Sequence, residues 1–224
     1  MKSESIEYGY NILSKYGIDG KDSSVIKGLD NSLWTKNRRK FRRWTKQPKK
    51  RTIQNYNYVK RTGRKINKRE EINVLELIKN VEKNLSIPLD INHQKIIING
   101  ENAIIYGDYR WQLEAITNIV KNCIEHSPEK SRIYIDFYQN KFNTGITIKD
   151  EGKGIDKKDI KHIFERFYKG KNSTESSVGI GLAISKNIIE KDGGNIKCSS
   201  EKNNGAIFEI KYLFSWQDVN NMII

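Results

Sequence analysis

No apolar run in this 224-residue chain approaches the roughly 18 residues that a membrane helix needs, so no bilayer span is expected within it. The N-terminus, MKSESIEYGYNILSKYG, has neither the long apolar segment nor the small-residue cleavage site of a secretory leader, and the expected location is cytoplasmic. Cysteine is scarce. Cys123 and Cys198 stand far apart with no metal or redox spacing, so they read as reduced thiols, not as a zinc site or a disulfide framework. Neither a Walker A sequence nor a G-x-G-x-x-G fingerprint occurs, which leaves the commonest nucleotide folds without motif support. Acid is missing from one segment only: residues 34–69 hold 16 Lys or Arg and no Asp or Glu. The chain has 41 basic and 27 acidic residues, a net +14, so outside that segment 25 basic residues face 27 acidic ones. The basicity is local.

Three zones follow. Residues 1–33 are polar, with a weak helical pattern near Tyr8–Tyr16. Residues 34–65 hold almost no aliphatic side chains and no sustained period, so residues 1–65 are expected to be irregular or disordered. From about residue 66 the character changes. EEINVLELIKNVEKN opens with a strand-like bit and continues with helical spacing at Val74, Leu75, Ile78 and Val81. KIIINGENAIIYGD reads as two strands joined into a hairpin at Asn99-Gly100. DYRWQLEAITNIVKNCIEH places Leu113, Ile116, Ile119, Val120, Cys123 and Ile124 on one helical face, with Asp108 as N-cap. SRIYIDFYQ and TGITIKD alternate as half-buried strands do, KKDIKHIFERF reads as a short helix, and GIGLAISKNIIEKDGG as an amphipathic helix stopped by glycines. NIKCSSE and AIFEIKYL supply two last strands around Asn203-Asn204-Gly205. This order predicts an α+β fold, a two-layer α/β sandwich over residues 66–213 with helices on one face of a mixed sheet. Residues 214–224 form a tail that continues no pattern.

Within that sandwich, four short patterns carry chemistry. Asn118 and Asn122 lie four apart, so both amides leave one helix face. Their oxygens suit Mg²⁺ that is shared with a substrate's phosphates, although two residues of an ordinary polar face would look the same. In KDEGKGID, Asp150 ends a strand, and Gly152 and Gly154 let the backbone turn close to a flat ligand. A carboxylate there can accept from an exocyclic amine such as adenine's, beside the apolar wall of Ile155; an isolated D-x-G-x-G is also an ordinary turn. IFERFYKG interleaves Phe164, Phe167 and Tyr168 with Arg166 and Lys169. Gly179 and Gly181 open a helix whose N–H groups favour phosphate oxygens, after the small polar stretch YKGKNSTESS, which suits a lid.

Taken in order, N-x-x-x-N, D-x-G-x-G, F-x-x-F and G-x-G-L-A over these residues resemble the catalytic ATP-binding domain of sensor histidine kinases, in the superfamily that includes gyrase, Hsp90 and MutL. The resemblance covers residues 66–213 and implies a Bergerat-type ATP-binding fold with ATP and Mg²⁺ as cofactors. It implies that Asn122 coordinates Mg²⁺, that Asn118 lies near the phosphates, and that Asp150 reads adenine in a pocket shaped by Gly152, Gly154 and Ile155. Gly179, Gly181 and Leu182 would sit at the triphosphate end, with Phe167 in the segment before the lid. Where the family often has a phosphate-reaching Lys, Glu125 stands here, so Lys121, Lys169, Lys171 or Lys186 would supply the charge. His126 reads as structural.

The family's phosphoacceptor is a His followed by Glu or Asp and then Thr-Pro, on a separate dimerisation domain. His93, His126 and His162 lack that context and no Thr-Pro occurs, so no catalytic residue is identified and the histidine is expected from elsewhere. The implied partners are a dimerisation domain, a response regulator and a second copy of the intact protein, which would place this chain in the cytoplasm, alone or as part of a membrane-anchored sensor. Asn, Lys and Ile abound, which suggests A/T-rich codons. A one-base shift of Trp34–Lys65 then yields an acidic, amphipathic string and turns GAA (Glu) into AGA (Arg). On this expectation the basic segment replaces a dimerisation helix through a frameshift, which the gene's nucleotide sequence decides. Two rival readings are a non-catalytic ATP-binding regulatory module and a basic-arm nucleic-acid binder, although nucleic acid is not the expected partner.

Overall fold

In the computed structural model the described residues are 69–168, 179–200, 204–215 and 218. All belong to the unit Ile66–Ile224. The expected irregularity of residues 1–65, the lid stretch around 169–178 and Lys169 itself lie outside them.

Strand β1 (Glu70–Asn73) runs straight into helix α1 (Val74–Asn84) because Asn73 caps it, accepting from the Glu76 N–H at 3.0 Å. Val74, Leu77, Ile78 and Val81 are buried at i, i+3, i+4, i+7 spacing. A short α2 (Ser86–Ile91) leads to β2 (Lys95–Gly100) and β3 (Ile104–Gly107). Asp108 then opens α3 (Tyr109–His126), its Oδ1 accepting from the N–H groups of Arg110 and Trp111 at 3.0 and 3.2 Å. Asp108→Ala should lower unfolding free energy by about 1 kcal/mol, read as a shifted urea midpoint at unchanged m-value. An unshifted midpoint would show that the cap contributes nothing.

Five strands form the main sheet in the order β2-β4-β5-β7-β6, with β4 (Arg132–Gln139), β5 (Asn143–Lys149), β6 (Gly194–Ser200) and β7 (Ala206–Leu213). β2 pairs parallel to β4 and every other pair is antiparallel, giving the expected mixed sheet. Ile133, Ile135 and Phe137 alternate with Tyr134, Asp136 and Tyr138, so one face of β4 is buried and the other open. The buried face, with Ile146, Ile148, Phe208 and Ile210, packs under α3 and α5 (Gly181–Lys191). Ser185 ties those two helices, its hydroxyl lying 2.9 Å from the Ala115 carbonyl and 3.1 Å from that of Gly181.

Four expectations need correction or completion. Asn99 and Gly100 do not turn a hairpin. They end β2, whose partner is β4, whereas β3 pairs with β1 in a separate two-stranded sheet. Asn99 donates to Asp136 at 2.9 Å, and Gly100 is required because a Cβ there would collide with Phe137 of the neighbouring strand. Leu113 is only half-buried. Gln112 takes the fully buried position, donating to Asp192 at 2.7 Å and accepting from the Tyr212 hydroxyl at 2.6 Å. The expected helix in KKDIKHIFERF shrinks to α4 (Lys157–Ile160), after which i→i+3 bonds such as Glu165 N–H to His162 O at 2.8 Å replace helical ones. In the tail, Asp218 accepts from the backbone and hydroxyl of Ser215 and pairs with Arg69 at 2.8 Å, joining the first and last described residues.

Candidate nucleotide-binding site

The site begins where β5 stops. Asp150 is 3% exposed, and its Oδ1 accepts from the N–H of Gly152 at 2.8 Å and of Ala206 at 3.2 Å. Burial pushes its pKa up, against those two backbone donors and the nearby Cys123 thiol, which pull it down. Oδ1 thus takes both backbone donors, and the Cys123 thiol hydrogen-bonds to the same carboxylate. Gly152 has no room for a side chain: a Cβ would lie 2.7 Å from the His126 carbonyl at the end of α3. Gly154 turns the loop through φ +75°, a conformation that side chains rarely adopt. Ile155 is half-buried and donates its N–H to the Ser200 hydroxyl at 2.7 Å.

On α3, Asn118 and Asn122 are both half-buried. Gly181, the first residue of α5, faces Asn118: a Cβ built there would sit 3.8 Å from the Asn118 Cβ. The carboxamide pair and the glycine-opened helix N-terminus are thereby brought together, and Leu182 lies half-buried in the same first turn. Asn118 makes only a long 3.5 Å contact to Glu114, and no hydrogen bond reaches the Asn122 carboxamide among the described residues. Two polar side chains left without strong partners beside a helix N-terminus fit a shared metal–phosphate ligand. Among the described residues there is no group of three or more His, Cys, Asp and Glu that could hold a metal ion.

The cations are placed less simply. Lys121 reaches Glu125 at 3.8 Å, one turn on, so its ammonium is paired along α3. Lys186 lies 3.7 Å from Glu190 and 5.6 Å above the Phe164 ring. Phe167 is 69% exposed with φ +65°, and its N–H donates to the Gly179 carbonyl at 2.8 Å. Gly179 itself has φ +69° and presses against Tyr168, so residues 168 and 179 meet where the intervening stretch leaves and returns. Both thiols stay protonated near neutral pH: burial raises Cys123 well above its ordinary value and Cys198 to about 12, with the Asp150 charge adding to both. Each is free; Cys123 is fully buried, and a protonated buried thiol is unreactive, whereas Cys198 is half-buried.

Sequence reading missed Ser200, Gly205 and Gln112. The first two lay in a strand end and a turn whose polar residues gave no sign that they grip the Asp150 loop. Gln112 sat beside the apolar positions of its helix, where the period alone favoured Leu113.

A mixed five-stranded sheet carrying a carboxylate at a strand end, opposite paired carboxamides on its covering helix, is the architecture of the Bergerat class of ATP-binding domains. Residues 107–215 match the family described as histidine kinase-, DNA gyrase B-, and HSP90-like ATPase. Sensor histidine kinase YvrG of Bacillus subtilis is 29% identical over 139 residues, 61% of this chain and 23% of that protein. Heme sensor protein HssS of Staphylococcus saprophyticus is 32% identical over 143 residues, 64% of this chain and 31% of that one. The chain thus spans less than a third of the length of these curated relatives. Among solved structures, a mycobacterial sensor histidine kinase, MprB, shares the fold with TM-score 0.59 at 22% identity, over 65% of this chain and 97% of that one. Residues 107–215 are thus similar in sequence and in fold to the catalytic ATP-binding domains of sensor histidine kinases. No described helix is long and apolar enough to cross a membrane.

Proposed function

We propose that this chain binds Mg·ATP and passes the γ-phosphoryl group to a histidine on a dimerisation domain, from which a response regulator would receive it. The observation that carries this reading is the buried Asp150 carboxylate, whose Oδ1 takes both the Gly152 and Ala206 N–H groups while Oδ2 takes neither. That oxygen would accept from the adenine amine while Ile155 covers the ring. Asn118 and Asn122 would face the phosphates together with the N–H groups at the start of α5, the position at which a helix favours anions. Mg²⁺, when bound, supplies neutralisation of the phosphate charge, and Asn122 would hold it. Catalysis is then mainly positioning and charge stabilisation, with the attacking histidine presented by another domain. Lys121, Lys169 and Phe167 belong to the same site in this reading, the lysines as sources of positive charge and Phe167 at the root of the lid. The catalytic domain would span about residues 66–213, act within a homodimer in the intact protein, and work in the cytoplasm.

The test is labelled ATP. With a histidine-kinase dimerisation domain supplied in trans, acid-labile label should move to that domain. ATP binding without transfer to any such domain would indicate a regulatory module instead.

A further inference from the structure

The D-x-G-x-G loop is held from outside by the turn between β6 and β7. Its near end is fixed by backbone bonds, Asp150 N–H to Ala206 O at 3.0 Å and Gly205 N–H to Gly152 O at 2.9 Å. Its far end is fixed by one side chain. The Ser200 hydroxyl accepts the Ile155 N–H at 2.7 Å and donates to the Gly205 carbonyl at 2.6 Å, so both functions of a single O–H are used. Gly205 can close this circuit only as glycine. It sits at φ +70°, and a Cβ would collide with the Asp150 carbonyl. Asp150 and Ile155, the polar reader and the apolar wall, are therefore spaced by a bridge that runs through Ser200 and Gly205.

We propose that Ser200 is a positioning residue for nucleotide recognition: its hydroxyl sets where Ile155 stands relative to Asp150, and so sets the width of the slot that takes the base. Among the described residues the Ser200 hydroxyl bonds to Ile155 and Gly205 and not to Asn118, Asn122 or the start of α5, so its influence falls on the base and not on the triphosphate. The inference rests on the proposed ATP-binding reading and deepens it by naming what shapes base selection.

The experiment uses the full chain and the variants Ser200→Ala and Ser200→Thr. Two bonds are lost in the alanine variant, each worth about 0.5–1.5 kcal/mol net, so ATP should bind roughly tenfold more weakly. Adenosine should lose as much as ATP, inorganic tripolyphosphate should bind unchanged, and the ATP-to-GTP affinity ratio should fall. Ser200→Thr keeps the hydroxyl and should stay within about twofold of wild type. Without any ligand, amide exchange at Ile155 should accelerate in Ser200→Ala and stay slow in Ser200→Thr. Fast Ile155 exchange with unchanged ATP affinity and base preference would overturn the positioning role while leaving the parent reading intact. Equal losses for adenosine and tripolyphosphate, or equal losses in both variants, would overturn it too, since either marks general destabilisation. A wild-type chain that binds no ATP would sink the parent reading and this inference together.

Discussion

Asn122→Ala should abolish Mg²⁺-dependent nucleotide binding while circular dichroism and thermal midpoint stay close to wild type. The side chain is half-buried and has no hydrogen-bond partner among the described residues, so its removal leaves no buried group stranded. Alanine also has the higher helix propensity, which adds a few tenths of a kcal/mol to α3. Binding should respond in the opposite direction. Loss of an outer-shell partner typically costs a metal site about 10–100-fold, and loss of a direct ligand should cost more. Titration of ATP with and without Mg²⁺ separates the possibilities. An unchanged Mg²⁺-dependent affinity would show that the metal lies elsewhere, and an equal fall without Mg²⁺ would reassign Asn122 to the nucleotide itself.

Asp150→Asn should divide stability from recognition. Asn retains a carbonyl oxygen for the Gly152 and Ala206 N–H groups but carries no charge. Burial raises the Asp150 pKa in the folded protein, so its contribution to stability is fully present below the unfolded carboxylate value and is lost as pH rises through the folded one. The charged form that burial disfavours is the one the variant lacks. The variant should melt at the same or a higher temperature at pH 7, and the difference should shrink on acidification toward about pH 4. ATP affinity should fall roughly 10–100-fold through loss of a charge-assisted bond worth about 1.5–3 kcal/mol, and GTP should fall less. Equal losses for the two nucleotides would refute the adenine-reading role. A melting temperature that drops most at neutral pH would mean that the charge stabilises this fold.

The boxes were legible because each depends on a constraint that the sequence displays directly. Asn118 and Asn122 share a face by helical period, Gly152 and Gly154 announce tight backbone, and Gly181 announces a helix start. The helices and strands between them were legible for the same reason, since Ile133, Ile135 and Phe137 or Val74, Leu77, Ile78 and Val81 repeat at a single period. What the sequence concealed was partner choice. Asn99-Gly100 has the chemistry of a hairpin turn, yet β2 gains more by pairing with β4, which shares its buried Ile face, than by folding back on β3. Ser200 and Gln112 escaped because a polar residue's importance lies in what stands opposite it. That is set by residues Gly205 and Tyr212, which only the sheet register brings near.

The pairing of Arg69 with Asp218 has a consequence for motion. The strand that enters the domain and the turn that follows its last strand are pinned together by an ion pair, with Arg69 also over the Tyr106 ring at 5.9 Å. From Asp108, whose N–H meets Asp192, α3 carries Asn118 and Asn122 about 15 and 21 Å along its axis before ending near the loop of Asp150. Cutting the clasp with Asp218→Ala would therefore loosen the join between β1 and the last turn without touching the site.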